Sequence, residues 1–286
     1  MRIEIGVELN ILTLTLILFA GGLAAGLVGA LTGLGGGVII VPLLTVVLGI
    51  DIRYAIGAAL ISVIATSSGA AAAYVREGYS NVRIGMFLEV ATTIGAVAGA
   101  YLALLLNAQV LAVVFGVALL LSVLLSARGH AEPVASEPPD PLALRLKMNG
   151  SYPTPEGRTE YCPRRVPLGW LVMFVAGLLS GLLGIGSGAL KVLAMDQVMR
   201  LPFKVSTTTS NFMIGVTAAA SAGIYLNRGY VDPGLAMPVV LGVLAGALVG
   251  ARILTIAPVR VLRLVFGVVI VALGVQMIWS GLRGTI

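Results

Sequence analysis

The sequence predicts an all-α polytopic membrane protein made of two inverted-topology repeats, each a re-entrant, Gly-tipped helical hairpin plus three transmembrane helices. Three observations predict it. The first is composition: of 286 residues, 58% are hydrophobic and only 10% charged, against about 25% charged in an average soluble domain. The apolar runs have helical length and lack the alternation of barrel strands. The second is an internal duplication. The third is a segment in each copy that is too short to cross a bilayer.

The duplication centres on Gly33 to Gly37, read Gly-Leu-Gly-Gly-Gly, and Gly184 to Gly188, read Gly-Ile-Gly-Ser-Gly, at an offset of 184 − 33 = 151 residues. With that offset and no gap, Tyr74 falls on Tyr225, Gly78 on Gly229 and Tyr79 on Tyr230. Gly95 and Gly99 fall on Gly246 and Gly250, and Phe115-Gly116 on Phe266-Gly267. A gapless register of this length indicates two copies of one unit.

Met1 to Asn10 is a short polar lead. Leu12 to Leu31 is apolar, has no typical cleavage site and belongs to the repeat, so it reads as retained. After the glycines, Val38 to Gly49 is only 12 residues, which reach roughly 18 Å against a hydrocarbon core of about 30 Å. A hairpin solves this: the first helix enters, the glycines turn it, and the short arm returns to the same side. Crossings follow at 55–75, 84–106 and 110–125. Gly95-x-x-x-Gly99 in the second permits close helix contact, most simply as packing.

Residues 128–167 form the long polar segment, with Pro133, Pro138, Pro139 and Pro141. Asn149-Gly150 is a common hairpin turn signal, so the segment reads as a solvated cytoplasmic linker that can hold a small β-hairpin. Cys162 there reads as an ordinary loop thiol. The second copy repeats the plan: 168–183 enters, Gly184 to Gly188 breaks, 189–199 is short, and crossings follow at 206–226, 235–256 and 261–282. The organisation is therefore repeat 1 over 11–127, linker over 128–167 and repeat 2 over 168–282.

A hairpin plus three crossings is an odd number of passages, so the second copy sits upside down. The positive-inside rule agrees. With the linker in the cytoplasm, Arg128, Arg145, Lys147, Arg158, Arg164 and Arg165 lie inside with Arg76, Arg83, Arg200, Lys204, Arg252, Arg260 and Arg263. Only Arg2, Arg53, Arg228 and Arg283 fall outside. The two glycine tips then converge near the midplane.

Inverted repeats with broken helices mark transporters, whose sites lie where the breaks meet. The short arms would aim unpaired N–H groups and positive dipole ends inward, which favours an anion. The expected site comprises Gly35, Gly36 and Gly37 from one tip and Gly186, Ser187 and Gly188 from the other. Lys191, early in the second arm where the first copy has Ile40, adds positive charge at a costly depth. Its structural alternative is a pairing with Asp196, although positions five apart do not share a helix face. Asn211, Thr66 and Thr217 supply polar groups on the following helices, and Thr66 and Thr217 coincide under the offset. For the threonines, bonding to their own backbone is the simpler reading. Glu89 lies within a crossing, with Val240 as its counterpart, and reads as a proton site or a pairing partner.

The +6 net charge lies mainly at helix ends and in the linker, so membrane topology explains it and no nucleic acid is expected. Single copies of cysteine and histidine leave no internal disulfide and no histidine-cluster metal site. No cofactor is expected. An enzyme has little support: His130 is in the linker and Ser187 has no apparent base. Without a Gly-Lys-Ser/Thr phosphate loop, ATP-driven transport within this chain has none either. A passive anion channel is the competing membrane class.

These residues resemble the TauE/SafE family of sulfite and organosulfonate exporters. The resemblance rests on Gly33-Leu34-Gly35-Gly36-Gly37-Val38-Ile39-Ile40-Val41-Pro42 and its second copy, and on Tyr74 to Gly78 and Tyr225 to Gly229. It covers nearly the whole chain outside the linker. Ser187 and Leu193 depart from the pattern, standing where a glycine and Pro42 would fall. The resemblance implies a multi-pass carrier in the cytoplasmic (inner) membrane whose partners are the lipid bilayer and a small, often sulfur-containing anion. Export of sulfite or a sulfonate comes first, with uptake of a sulfur oxyanion such as thiosulfate as the alternative. A proton or Na+ as coupling ion, and a homodimer, stay open at this level.

Overall fold

The computed structural model of the chain describes residues 10–32, 36–76, 80–127, 140–154, 157–253 and 259–284. Helix α1 spans Ile11–Thr32; α2, Gly37–Pro42, continues as a π-helical turn over Leu43–Val47. Helices α3 (Ile52–Arg76), α4 (Val82–Leu105) and α5 (Ala108–Ala127) complete the first half. A small helix, α6 (Pro141–Arg145), and a hairpin of β1 (Gly150–Thr154) and β2 (Gly157–Tyr161) follow. The second half runs α7 (Val166–Leu183), α8 (Gly188–Leu193), a π-helical turn over Ala194–Val198, α9 (Phe203–Asn227), α10 (Pro233–Ile253) and α11 (Val259–Arg283).

The chain is thus an all-α membrane protein, with one small hairpin among the described residues. Helices α1, α4 and α7 are, among the described residues, long and apolar enough to cross a bilayer on composition alone. The central α3 and α9 carry more Ser and Thr because they pack on each other rather than on lipid. Each short arm, helix plus π-turn, covers 11 residues (37–47 and 188–198), or about 16 Å, half a bilayer core. The π-turn recurs although its neighbour is Pro42 in one arm and Leu193 in the other, so proline is not what causes it.

Five of the six second-half elements begin 188 − 37, 194 − 43, 203 − 52, 233 − 82 and 259 − 108 residues after their counterparts, 151 in each case, while α7 begins 166 − 11 = 155 residues after α1. Packing follows the same symmetry. Helix α1 lies against α10 and α4 against α7; the offset turns one pair into the other. Helices α3 and α9, and α5 and α11, each pair with their own counterpart. The two halves are therefore interleaved: each long helix finds its main partner in the other half, whereas the short α2 and α8 pack mainly on α3 and α9 of their own half.

Glycines set the closest of these contacts. A Cβ at Gly95 would fall 2.2 Å from the Phe174 carbonyl oxygen, and one at Gly246 would fall 2.0 Å from that of Leu23, the residue equivalent to Phe174. The Gly-x-x-x-Gly spacing thus lets two backbones touch, as packing glycines do in membranes.

The polar segment departs from the expectation of a solvated linker. Its described part, from Asp140 on, docks onto the end of the bundle. Asp140 caps α6 by accepting from the Leu142 amide (2.8 Å), and its other oxygen accepts from the Val166 amide at the start of α7 (2.8 Å). Ala143 and Met148 are buried in one apolar cluster with Ile84, Leu88, Met173 and Met199. Asn81 donates to the Met148 carbonyl (3.2 Å) and the Tyr161 hydroxyl (2.9 Å). Burial of a half-apolar segment outweighs its polar composition.

The hairpin also turns elsewhere than at Asn149-Gly150. Gly150 pairs with Tyr161 as the first residue of β1, and the chain reverses between Thr154 and Gly157. Gly150 is needed for close approach: a Cβ there would lie 2.6 Å from the Tyr161 hydroxyl. Cys162 is half-buried beside this hairpin, and burial pushes its thiol pKa up against the pull of Arg164.

Candidate functional site

The two glycine breaks meet. A Cβ on Gly37, the first residue of α2, would fall 2.7 Å from the Gly184 carbonyl oxygen and 3.4 Å from the Ile185 Cα. Gly184 ends α7 in the left-handed region (φ 70°), and Gly186 (φ 70°) and Ser187 (φ 45°) stay there before α8 starts at Gly188. Ser187 is an uncommon residue for that conformation. Its first-half equivalent, Gly36, has an ordinary helical φ of −67° and accepts from the Ile39 and Ile40 amides at 3.1 and 3.2 Å. Gly36 and Ser187 therefore share a place in the duplication but not a backbone conformation. Gly35 lies outside the described residues.

Ser187 is buried, and among the described residues its hydroxyl has no hydrogen-bond partner. Its carbonyl accepts from the Lys191 amide (3.0 Å), which starts the turn that carries the lysine side chain. The hydroxyl of Ser210 on α9 donates to the Gly188 carbonyl (3.3 Å) and ties the arm to the long helix behind it.

Lys191 has 0% exposure. Its ammonium donates to the Thr217 hydroxyl and stands 4.0 Å from Glu89 Oε2. Thr217 in turn donates to Glu89 Oε1 (2.6 Å), which also accepts from Thr93 (3.2 Å). Glu89 Oε2 has no hydrogen-bond partner among the described residues. One cluster thus joins α8, α9 and α4, and so both halves of the chain. Its ion-pair partner for Lys191 is Glu89; Asp196, the partner expected as the structural alternative, is buried in the following π-turn.

The other expected residues are arranged differently. Thr66 donates to the carbonyls of Ser62 and Val63, both at 3.1 Å, so it bonds its own helix while its counterpart Thr217 bridges charges. Asn211 takes part through its main chain, its carbonyl accepting from Ser67 (2.7 Å) where α3 crosses α9. The residue absent from the sequence-derived site is Glu89. A signal for it existed: two opposite charges in separate apolar helices lower each other's burial cost only by pairing.

What the cluster can do follows from its parts. A lysine ammonium is a compact point charge with three donors, here only partly engaged. Beside it stand one carboxylate oxygen and, one turn away, one serine hydroxyl without partners. The group can hold a small anion in competition with its own carboxylate, and it can hold or release a proton.

Buried charge inside a bundle of apolar helices, on the arm that follows one of two touching breaks, defines a polytopic membrane protein with an internal polar site. The chain belongs to the sulfite exporter TauE/SafE family, whose model matches residues 18–277. Membrane transport is the function this membership carries at its coarsest. A probable membrane transporter protein of Bacillus subtilis, YunE, is 29% identical over 274 residues, 93% of this chain and 98% of that protein. A probable membrane transporter protein of Xylella fastidiosa strain 9a5c is 27% identical over 274 residues, 95% and 97% of the two chains. A third, YdhB of Bacillus subtilis, is 28% identical over 250 residues, 87% and 92% of the two chains. No solved structure matches the chain.

Proposed function

We propose that the protein is a secondary transporter of small anions in the cytoplasmic membrane, with its site at the two glycine-rich tips and sulfite- or sulfonate-type compounds as the first candidates. The observation that carries the anion is Lys191: a fully buried ammonium one turn beyond the second glycine break. The sulfur chemistry comes from the family. Packing that encloses Lys191 completely supports a carrier that opens alternately over an open pore.

The test is flux into proteoliposomes across sulfite, thiosulfate, sulfoacetate, taurine, sulfate and chloride. Saturable movement of at least one sulfur anion is expected. If no anion moves or binds while a cation does, the reading is wrong.

The inverted arrangement, two re-entrant hairpins entering from opposite faces, belongs to the same proposal. End-to-end contacts support it. Arg53 stands 5.9 Å from the Tyr230 ring centroid, Tyr54 meets Tyr230 edge-on at 5.4 Å, and Arg53 donates to the Leu106 carbonyl at 2.8 Å. The turns before α3, after α4 and after α9 therefore share one end. At the other end the Arg164 amide donates to the Met199 carbonyl (3.0 Å) and Arg83 donates to that of Lys147 (3.1 Å). Parallel repeats would put the turns near 53 and 230 on opposite faces. In a Cys162→Ser background, Arg158→Cys and Arg228→Cys are expected to label from opposite sides of the membrane. Labelling from the same side would eliminate the inverted arrangement.

A further inference from the structure

We propose that Glu89 carries the coupling proton, so that each anion crosses together with a proton in the same direction. The inference rests on the anion site proposed at Lys191 and adds to it the coupling ion and its carrier.

The geometry supplies the argument. Glu89 Oε1 is held by Thr217 and Thr93, whereas Oε2 accepts no hydrogen bond among the described residues and faces the Lys191 ammonium at 4.0 Å. Among the described residues Lys191 is thus the only charge the structure places against that oxygen. Helix α7, packed along α4, has no ionisable side chain between Val166 and Leu183. On α9, Thr217 faces the pair, and the helix's titratable groups are Lys204 in its first turn and Tyr225, whose hydroxyl is given to the Gly181 carbonyl (3.2 Å). On the α8 arm the charges are Lys191 and the buried Asp196, five residues further along the chain.

Charge balance then sets the coupling. In the empty site the ammonium and the carboxylate neutralise each other. An incoming anion takes the ammonium as its counter-ion and leaves Glu89 a buried, uncompensated carboxylate. A low-dielectric interior penalises such a charge heavily. A proton on Oε2 removes it: the O–H bond forms as the ion pair opens, and nothing is oxidised or reduced. Loaded and empty sites then carry equal charge for a monovalent anion. Because anion and proton occupy the site together, they move together, and exchange of one for the other is disfavoured. The direction of net transport follows the summed gradients, so an inward proton gradient drives uptake.

The test uses the full-length protein in proteoliposomes with the membrane potential clamped at zero. The probes are anions that stay ionised near neutrality: thiosulfate, sulfate, isethionate and chloride. An internal pH dye reports protons. For a transported monovalent anion, a gradient of one pH unit, alkaline inside, should drive about tenfold accumulation, and an anion gradient alone should acidify the lumen. Glu89→Gln should keep anion-for-anion exchange yet lose both proton movement and accumulation. Glu89→Asp, if folded, should retain coupling. Anion flux in the wild-type protein without proton movement overturns the coupling and leaves the anion site standing. So does accumulation by Glu89→Gln equal to wild type. If none of these anions moves or binds, the anion site falls, and the coupling falls with it. Because the absence of proton movement in the wild-type protein overturns the coupling by itself, poor folding of a Glu89 variant does not rescue the idea.

Discussion

Replacing Lys191 with Met is expected to weaken anion binding by about 10- to 150-fold. That follows from losing a hydrogen bond to a charged donor, worth roughly 1.5–3 kcal/mol. The methionine keeps most of the stem's volume inside a site with 0% exposure, so the packing cost is small. Its effect on folding depends on Glu89. Removing one member of a buried pair costs about 3–5 kcal/mol when the other stays charged. The double variant Lys191→Met/Glu89→Gln removes both charges and should insert and melt like the wild-type protein while still failing to bind the anion. Binding by isothermal titration, with melting in detergent as the folding control, separates the two effects. Unchanged anion affinity in folded Lys191→Met would remove Lys191 from the site and leave it a structural partner of Glu89.

The sequence carries the local features of this site but not the contact that joins them. The glycine breaks, the short arms and the 151-residue register are visible because each is a matter of spacing along one chain, and the element starts other than that of α7 keep that register. Lys191 stands out because charge is rare in apolar helices. Glu89 stands out for the same reason but not as the partner of Lys191, since it lies in the other half and the duplication puts Val240 at its counterpart. Asp196, near in sequence, is the structural alternative that the five-residue spacing disfavours, and the ion pair goes to Glu89 instead. Likewise Thr66 and Thr217 are equivalent in sequence, yet only Thr217 has charged groups within reach, because Ile40 replaces the lysine in the first copy. The hairpin turn was legible in a different place. Thr154-Pro155-Glu156-Gly157 has the proline and glycine spacing of a type I turn, whereas Gly150 serves the Tyr161 ring. Docking of the polar segment was not legible, because Ala143 and Met148 are too few to form an apolar pattern of their own.

Gly181→Ala is expected to lower the melting temperature clearly, whereas Gly223→Ala should leave it unchanged or raise it. A Cβ on Gly181 would sit 1.9 Å from the Ala96 carbonyl oxygen and 2.7 Å from its carbon. Both atoms are backbone, so no side chain can swing aside; α4 and α7 must part. Three neighbours along the same seam leave no slack: a Cβ would fall 2.1 Å from Thr92 O at Gly177, 2.2 Å from Phe174 O at Gly95 and 2.0 Å from Leu178 O at Gly99. Overpacking of this kind costs about 1–3 kcal/mol. At Gly223, on α9, a Cβ would meet nothing within 4 Å, and Ala is favoured over Gly in a helix by roughly 0.5–1 kcal/mol. The same substitution should therefore act with opposite sign at two helical glycines, as read by melting of the purified protein in detergent. A transport effect should accompany the first. Thr92, whose carbonyl meets Gly177, lies within a turn of Glu89 on α4, so parting the seam draws Glu89 away from Lys191. Equal melting temperatures for Gly181→Ala and Gly223→Ala would mean that the α4–α7 seam is looser than its carbonyl contacts require, and that the position of Glu89 is not fixed by it.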